Sequence, residues 1–253
     1  DASMPIRFVM EATGVYHEDL AYYLTGNGYE VSIVLPNKIS NYSRTLDIKT
    51  ITDETAAEAI TLFGLSRHLD TWTPPKESYR MLRQIIRERD QILQSRTAAK
   101  NQLHAENAGA YPHKSSVKRT QKLIAFLDKQ EQEINQEIKE LVQNDPEIKK
   151  TLKVLCTIPG IGLLTASTVL AETNGFDLIR NKRQLVSYAG LDVREKISGT
   201  SVKGKPRISK KGNRYLRKAM HFPALAAIRH DERYKAIFAR LVARTGIKMK
   251  GAV

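Results

Sequence analysis

Residues 6–36 read IRFVMEATGVYHEDLAYYLTGNGYEVSIVLP, and this stretch decides the class of the N-terminal region. Ile6-Arg7-Phe8-Val9-Met10 is a short β-type run, and Tyr29 to Leu35 alternates apolar and polar residues as a half-buried strand does. Between them Glu18 to Leu24 carries a helical pattern, and Gly26-Asn27-Gly28 supplies the turn. Strand, helix and strand in so short a span predict a parallel βαβ unit, which Pro36 ends. Thr52-Asp53-Glu54 then reads as the N-cap of a helix carrying Ala56, Ala59, Ile60 and Phe63, before Pro74-Pro75 interrupts the chain.

Beyond the prolines the period changes. From about Lys76 to Ala108, Leu82, Ile85, Arg89, Ile92, Arg96, Ala99 and Leu103 recur at spacings of three and four. A loop around Gly109 to Ser115 separates this helix from a second, about Ser116 to Asn144. There Val117, Thr120, Ile124, Leu127, Glu131, Ile134, Ile138 and Leu141 trace a heptad seam with two polar members. Two such helices predict an antiparallel, coiled-coil-like hairpin, structural in role, packing on itself or on another subunit. The expected fold class is α/β plus α: an α/β part over 1–70, a helical connector over 76–144 and a mostly helical domain over 146–253.

Charge is segregated along this plan. The 253 residues hold 41 Lys+Arg and 27 Asp+Glu, a net of +14. Residues 180–253 alone hold 20 Lys+Arg against 4 Asp+Glu, so the whole basic excess sits there. Concentrated positive charge attracts a phosphate backbone by releasing its counterions. A solvated basic face or an acidic partner stands as the alternative. Apolar residues make up 41%, and no run approaches the roughly 18 that a membrane span needs. Cys156 is the only cysteine, expected in the core; it excludes an intrachain disulfide and a cysteine-based zinc site. No signal-peptide pattern opens the chain, and a cytoplasmic, reduced setting is expected.

Three segments could carry chemistry. Ile158-Pro159-Gly160-Ile161-Gly162 precedes an apolar helix, Leu163 to Glu172. Gly160 and Gly162 would let the backbone approach a phosphate, and the next helix N-terminus would offer its amides, as in a helix-hairpin-helix motif. A tight turn between packed helices is the other reading. Farther on, Arg194, Lys196, Lys203, Lys205, Arg207, Lys210, Lys211 and Arg214 surround Gly- and Ser-rich loops containing Ser198-Gly199. Such loops combine amides, hydroxyls and cations for phosphate contact. By composition Ser198-Gly199 is a turn, with no base beside it in sequence to activate the hydroxyl. Finally, Glu11 ends the first strand and Asp53 starts a helix. Carboxylates so placed either converge on a metal ion or serve as a cap and a surface charge.

Taken in order, Met10-Glu11-Ala12-Thr13-Gly14-Val15-Tyr16, Thr52-Asp53, Asn101-Gln102-Leu103-His104-Ala105, Ile158-Pro159-Gly160-Ile161-Gly162, Ser187-Tyr188-Ala189-Gly190-Leu191, Ser198-Gly199 and Ser209-Lys210-Lys211-Gly212-Asn213 resemble the insertion-sequence-110 family of transposases, the DEDD recombinases related to the Piv invertase. The resemblance covers essentially the whole chain. It implies a RuvC-like (RNase H fold) N-terminal part, truncated here, a coiled-coil connector and a C-terminal transposase domain with a nucleophilic serine. It implies a DNA transposase that cleaves and rejoins strands through a phosphoserine, guided by a structured bridge RNA. Its partners would be DNA, that guide RNA and further copies of itself in a dimer or tetramer, with no membrane.

Under this resemblance Ser198 matches the nucleophile, and Glu11 and Asp53 match two of four carboxylates that hold magnesium. The family's second helix aspartate corresponds to Ala56, with Glu54 and Glu58 nearby, and its first aspartate lies on a strand upstream of Glu11. A family helix would continue past Val253, so this sequence is expected to be a fragment or decayed copy. Two other readings stay open. One is a non-catalytic nucleic-acid-binding protein, and the other is a RuvC-type nuclease in which water attacks in place of serine.

Overall fold

The computed structural model describes residues 6–46, 50, 52–195, 197–198, 202–204 and 206–243, with the backbone alone at 197, 198, 202 and 203. It is mostly helical, with small sheets. The chain divides into two compact units, Asp1–Pro75 and Lys76–Val253.

In the N-terminal unit β1 (Arg7–Glu11) lies parallel to β2 (Glu30–Val34), paired from Arg7 opposite Glu30 to Glu11 opposite Val34. The crossover is α1 (Glu18–Gly26). Strand alternation sends side chains to two faces. Phe8, Met10, Val31 and Ile33 pack with Ala21 and Leu24 of α1 and with Trp72. Val9 and Val34 pack on the opposite face with Ile39 of α2 (Pro36–Ser43) and with Ile60 and Phe63 of α3 (Asp53–Ser66). The Trp72 amide donates to the Val31 carbonyl at 2.7 Å, which ties the end of the unit to the strand. Both faces of the two-stranded sheet are thereby covered, as a parallel pair requires.

The second unit is built on α4 (Glu77–Ala108) and α5 (Lys114–Asn144), which run antiparallel. Leu82, Ile85 and Ile86 meet Ile134, Ile138 and Val142 in one cluster. That cluster continues into Ile148 and Leu152 of α6 (Pro146–Leu155) and Ala166, Leu170 and Ala171 of α7 (Leu163–Thr173), so α4 to α7 share a single core. The polar members of the two periodic patterns find each other. Arg89 donates to Glu131 at 2.6 Å and to Asn135 at 2.7 Å, while Arg96 pairs with Glu131 and with Asp128 at 2.7 Å. Two arginines on one helix share one glutamate on the other, which fixes how far the helices can slide.

Two of the helices that were not individually foreseen begin at a proline. Pro36, expected to end a strand, also occupies the first position of α2, and Pro146 opens α6 in the same way. Proline suits that position because its missing N–H is not needed there and its φ is already helical. The rest of the unit comprises α8 (Lys182–Tyr188), four two-residue strands, β3 (Val193–Arg194), β4 (Ile197–Ser198), β5 (Val202–Lys203) and β6 (Arg207–Ile208), then α9 (Arg214–Ala219), α10 (His221–His230) and α11 (Glu232–Val242). Val169, Ala189 and Leu216 form a second small core that holds α7, α8 and α9 together. Among the described residues no helix is long and apolar enough to cross a membrane.

Asp145 links the hairpin base to α6. Its Oδ1 accepts from the Glu147 and Ile148 amides at 3.0 and 3.2 Å, and its Oδ2 accepts from Ser78 Oγ at 2.8 Å and lies 3.1 Å from Lys76 Nζ. Burial acts to raise its pKa, but the bonds from Ser78, the Ile148 amide and Lys76 outweigh that and hold it at about 2. Its folded pKa lies below the unfolded value of about 3.9. The stabilisation is therefore full above about pH 4 and is lost as pH falls toward 2. Asp145→Asn is expected to flatten that part of the acid limb, read as the urea midpoint between pH 5 and 2; a limb identical to wild type would refute the assignment.

Candidate nucleic-acid interface and carboxylate cleft

The centre of the C-terminal unit is a buried charge. Glu172, on the last turn of α7, is 1% exposed. Arg87 of α4 grips its carboxylate with two bonds, Nε to Oε1 and Nη2 to Oε2, each 2.9 Å. Asn213 Nδ2 donates to Oε2 at 2.6 Å, and Tyr188 donates its hydroxyl hydrogen to the Glu172 carbonyl at 3.0 Å. A carboxylate taken out of water needs such pairing. The same contacts raise the Arg87 pKa, the hydrogen bonds to Glu172 contributing most. Arg87 also lies over the Tyr215 ring at 4.9 Å, and Arg214 over the same ring at 4.8 Å. Glu172, Arg87 and Tyr215 were absent from the expected site. The only sequence signal was an isolated acid in the apolar run Leu163 to Glu172.

This network explains two of the motifs. Ser187-Tyr188-Ala189-Gly190-Leu191 and Ser209-Lys210-Lys211-Gly212-Asn213 dock backbone to backbone. The Asn213 amide donates to the Tyr188 carbonyl at 2.6 Å, the Lys210 amide to the Gly190 carbonyl at 3.0 Å, and the Ser209 amide to the Asp192 carbonyl at 2.8 Å. A Cβ at Gly212 would meet the Tyr188 carbonyl oxygen at 2.4 Å, so only glycine permits the approach. Asn213 further caps α9, accepting from the Tyr215 and Leu216 amides at 2.9 and 3.1 Å. Lys210 is held in the left-handed region at φ 54° between these contacts.

Between the docked motifs rises an arm of two nested antiparallel pairs. In the lower pair Val193 faces Ile208 and Arg194 faces Arg207; in the upper, Ile197 faces Lys203 and Ser198 faces Val202. Ser198 is therefore the last residue of the upper pair's first strand among the described residues, and Lys203 belongs to the facing strand. Arg194 and Arg207 are exposed and directly opposite one another. Like charges so placed destabilise a strand pair unless an anion joins them. Lys210, Lys211 and Arg214 are exposed near the foot of the arm. Lys196, Lys205 and Gly199 lie outside the described residues.

The segment between α6 and α7 divides its two glycines. Gly160, at φ +85°, is pressed on α10, where a Cβ would meet Ala226 Cβ at 2.4 Å; its lack of a side chain serves helix packing. Gly162 caps α7 with open space around it. Cys156, expected in the core, is exposed, because it caps the end of α6 where the chain turns out.

In the N-terminal unit Glu11 ends β1 at the carboxyl edge of the parallel pair, where open α/β sheets place their sites. It accepts from Thr13 Oγ1 at 3.1 Å. With Ser40, Ser43, Arg44, Thr55 and Ala56 it lines a cleft of about 380 Å³. Thr52, not Asp53, caps α3, through reciprocal bonds with Thr55. Asp53, Glu54 and Glu58 are exposed, and none of them lines the cleft. Among the described residues no group of three His, Cys, Asp or Glu side chains is gathered to hold a metal. Among the described residues Glu11 is the one carboxylate lining the cleft, which Arg44 also lines, so these residues do not fit a magnesium site.

Two family models match this chain, and both describe transposases: a DEDD transposase model of the IS110 group over residues 1–112, and the "Transposase IS116/IS110/IS902 family" model over residues 152–239. The chain belongs to the IS110 family of transposases. Its N-terminal match implies a RuvC-like fold, of which the described residues show the two-stranded βαβ element with α2 and α3. The chain is similar to the pilin gene-inverting proteins of Moraxella bovis and Moraxella lacunata, each 29% identical over 223 residues, 87% of this chain. It spans 66% of the length of those two curated relatives. It is also similar to an uncharacterized 43.6 kDa protein of the insertion element IS110 from Streptomyces coelicolor, 35% identical over 91 residues, 36% of this chain and 22% of that one.

Removing the central carboxylate should be costly. Glu172→Ala leaves Arg87 unpaired and is expected to lose about 3 kcal/mol, the low end for a broken buried pair because Arg87 is partly solvated. Asn213→Ser keeps an N-cap oxygen, gives up one bond to the charge and should lose about 1.5 kcal/mol. Urea unfolding measures both, and equal losses would contradict the ranking.

Proposed function

We propose that this chain is a DNA transposase or recombinase subunit in which Ser198 is the nucleophile and the arginine-bearing arm seats the phosphate it attacks. The observation that carries the reading is Arg194 opposite Arg207 on the arm at whose end Ser198 is paired. Two guanidiniums on adjacent strands bind phosphate oxygens with parallel N–H donors. They also offset charge developing at phosphorus. The serine oxygen attacks a backbone phosphate, a phosphoserine forms, and one strand leaves as a free hydroxyl end. That hydroxyl, or one on another strand, later attacks the phosphoserine and restores the backbone. Phosphoester bonds balance across both steps, so rejoining needs no added energy source. Arg194, Lys203, Arg207, Lys210, Lys211 and Arg214 hold the backbone, with Lys196 and Lys205 in the same stretch of sequence, and the open Gly162 end of α7 adds amides. A structured guide RNA and further copies of the chain are the partners that the family resemblance supports.

A second reading is favoured by one specific feature, the cleft with a single carboxylate among its described residues. There the chain binds nucleic acid without cutting it. Magnesium, which the family resemblance implies, has too few donors here for any step to be drawn through it.

Two experiments separate these readings. Incubated with DNA and guide RNA, the chain should form a covalent protein–DNA adduct that Ser198→Ala abolishes; adduct surviving that change would disprove the nucleophile, and free 5′-phosphate ends without adduct would point to water. In the cleft, Ala56→Asp places a second carboxylate beside Glu11. Magnesium affinity by calorimetry should rise about tenfold or more, since carboxylate count tunes affinity; an unchanged value would mean that position 56 does not face a metal.

A further inference from the structure

We infer that the far end of the α4–α5 hairpin is a second nucleic-acid contact, independent of the arm, which grips a phosphodiester backbone along α5 and stacks a base on Tyr111. It deepens the nucleic-acid part of the proposed function and rests on that part alone, not on Ser198 chemistry.

The charge of the hairpin is polarised along its length. Residues 100–122, spanning the tip, hold five Lys+Arg against one Asp+Glu, whereas residues 128–147 hold two against seven. A face made only for solvation interleaves the two signs. Four of those seven acids have ion-pair partners across the hairpin: Asp128 and Glu131 pair with Arg96, Glu131 also with Arg89, and Asp145 and Glu147 with Lys76. The tip cations have none. Lys114, Lys118 and Lys122 are exposed, and no ion pair among the described residues includes them. They recur every four residues, so they form one stripe with steps of about 6 Å along the axis. Like charges at this spacing repel by a few tenths of a kcal/mol per pair. Lys114 also stands in a first turn with no acid, where the helix dipole disfavours a cation. A bound polyanion removes each of these penalties at once.

The tip also presents apolar and hydrogen-bonding groups suited to bases. Tyr111, in the loop between the helices, is 97% exposed, and Phe126 continues the lysine stripe at 58%. Asn101, Gln102 and His104 of the Asn101–Ala105 motif are exposed at the end of α4, where packing gives no reason for their identity. Cations interleaved with exposed aromatics are the composition of single-strand and loop binders.

From Arg87, which holds Glu172, to the end of α4 is about 30 Å at 1.5 Å per residue. A nucleic acid touching both the arm's platform and the tip must therefore extend over some nine base pairs, at about 3.4 Å each. A short oligonucleotide can occupy only one of them.

The test uses fluorescence anisotropy of the whole chain with a 30-base-pair DNA duplex, the corresponding single strand and an RNA stem–loop, between about 50 and 200 mM salt. The combined Lys114→Gln, Lys118→Gln and Lys122→Gln variant, on exposed positions, should melt like wild type. Its slope of log affinity against log salt should be shallower by about 2 to 3, the loss of three phosphate contacts. Tyr111→Ala should weaken the single strand or the RNA loop about tenfold with the slope unchanged. Whichever of DNA or RNA shows these losses is the ligand of the tip. If the triple variant and Tyr111→Ala bind all three ligands with wild-type affinity and slope, the tip is only a solvated end and the inference is overturned. Arg194→Ala with Arg207→Ala is the control: losses there with an unaltered tip retain the proposed function alone, while losses at the tip with an indifferent arm retain this site and overturn the arm.

Discussion

The C-terminal unit depends on a single buried carboxylate. Glu172 lies in the last turn of a helix whose other residues are all uncharged, and its charge is removed from water. That removal is tolerated because partners from distant parts of the chain reach it: Arg87, 85 residues away, with two bonds, and Asn213, 41 residues away, with one. Each partner is thereby committed. Arg87 fixes the hairpin against α7, and Asn213 fixes the start of α9 and, through its own amide, the foot of the arm. An apolar residue at 172 could fill the space, but it could not dictate where an arginine and an asparagine must stand. Buried charge here specifies an arrangement more than it stabilises one.

The same economy of charge runs along the hairpin. Arg89 and Arg96 meet around Glu131, so polar residues in the interior of two helices set their register where an all-apolar seam would allow sliding. Along the hairpin, acids gather toward the base, several of them paired across it, while Lys114, Lys118 and Lys122 near the tip take part in no ion pair among the described residues. On the arm, Arg194 and Arg207 repeat the pattern of facing cations. Two separate surfaces of one unit thus carry repulsion that the protein itself does not relieve. A bound polyanion would relieve both.

The N-terminal unit has a different character. Its strands bring Glu11 to the carboxyl edge of a parallel pair, and α3 brings Thr55 and Ala56 to the same cleft. Ala56 of α3 therefore lines the same cleft as Glu11. Asp53 points to no such role; it lies in the first turn of α3, where a negative charge complements the helix dipole.

Period, punctuation and charge were enough for much of this protein. The alternation at Tyr29–Leu35, the three-four spacing of α4 and α5 and the Thr52 cap are local patterns set by backbone geometry, and each element lies where they place it. Pro36 did end the strand, but its fit to the first turn of a following helix was not read, because a proline that stops one element also suits the start of the next. The segments 187–191 and 209–213 stood out by their composition and resemblance, but nothing in either showed that they dock on each other. The role of Glu172 was not legible at all, because a buried charge is defined by partners that come from elsewhere in the chain. Sequence fixes which groups exist and which local shapes they prefer. Only the tertiary structure decides which of them are withdrawn from water together, and desolvation is what turns a common glutamate, arginine and asparagine into a constraint.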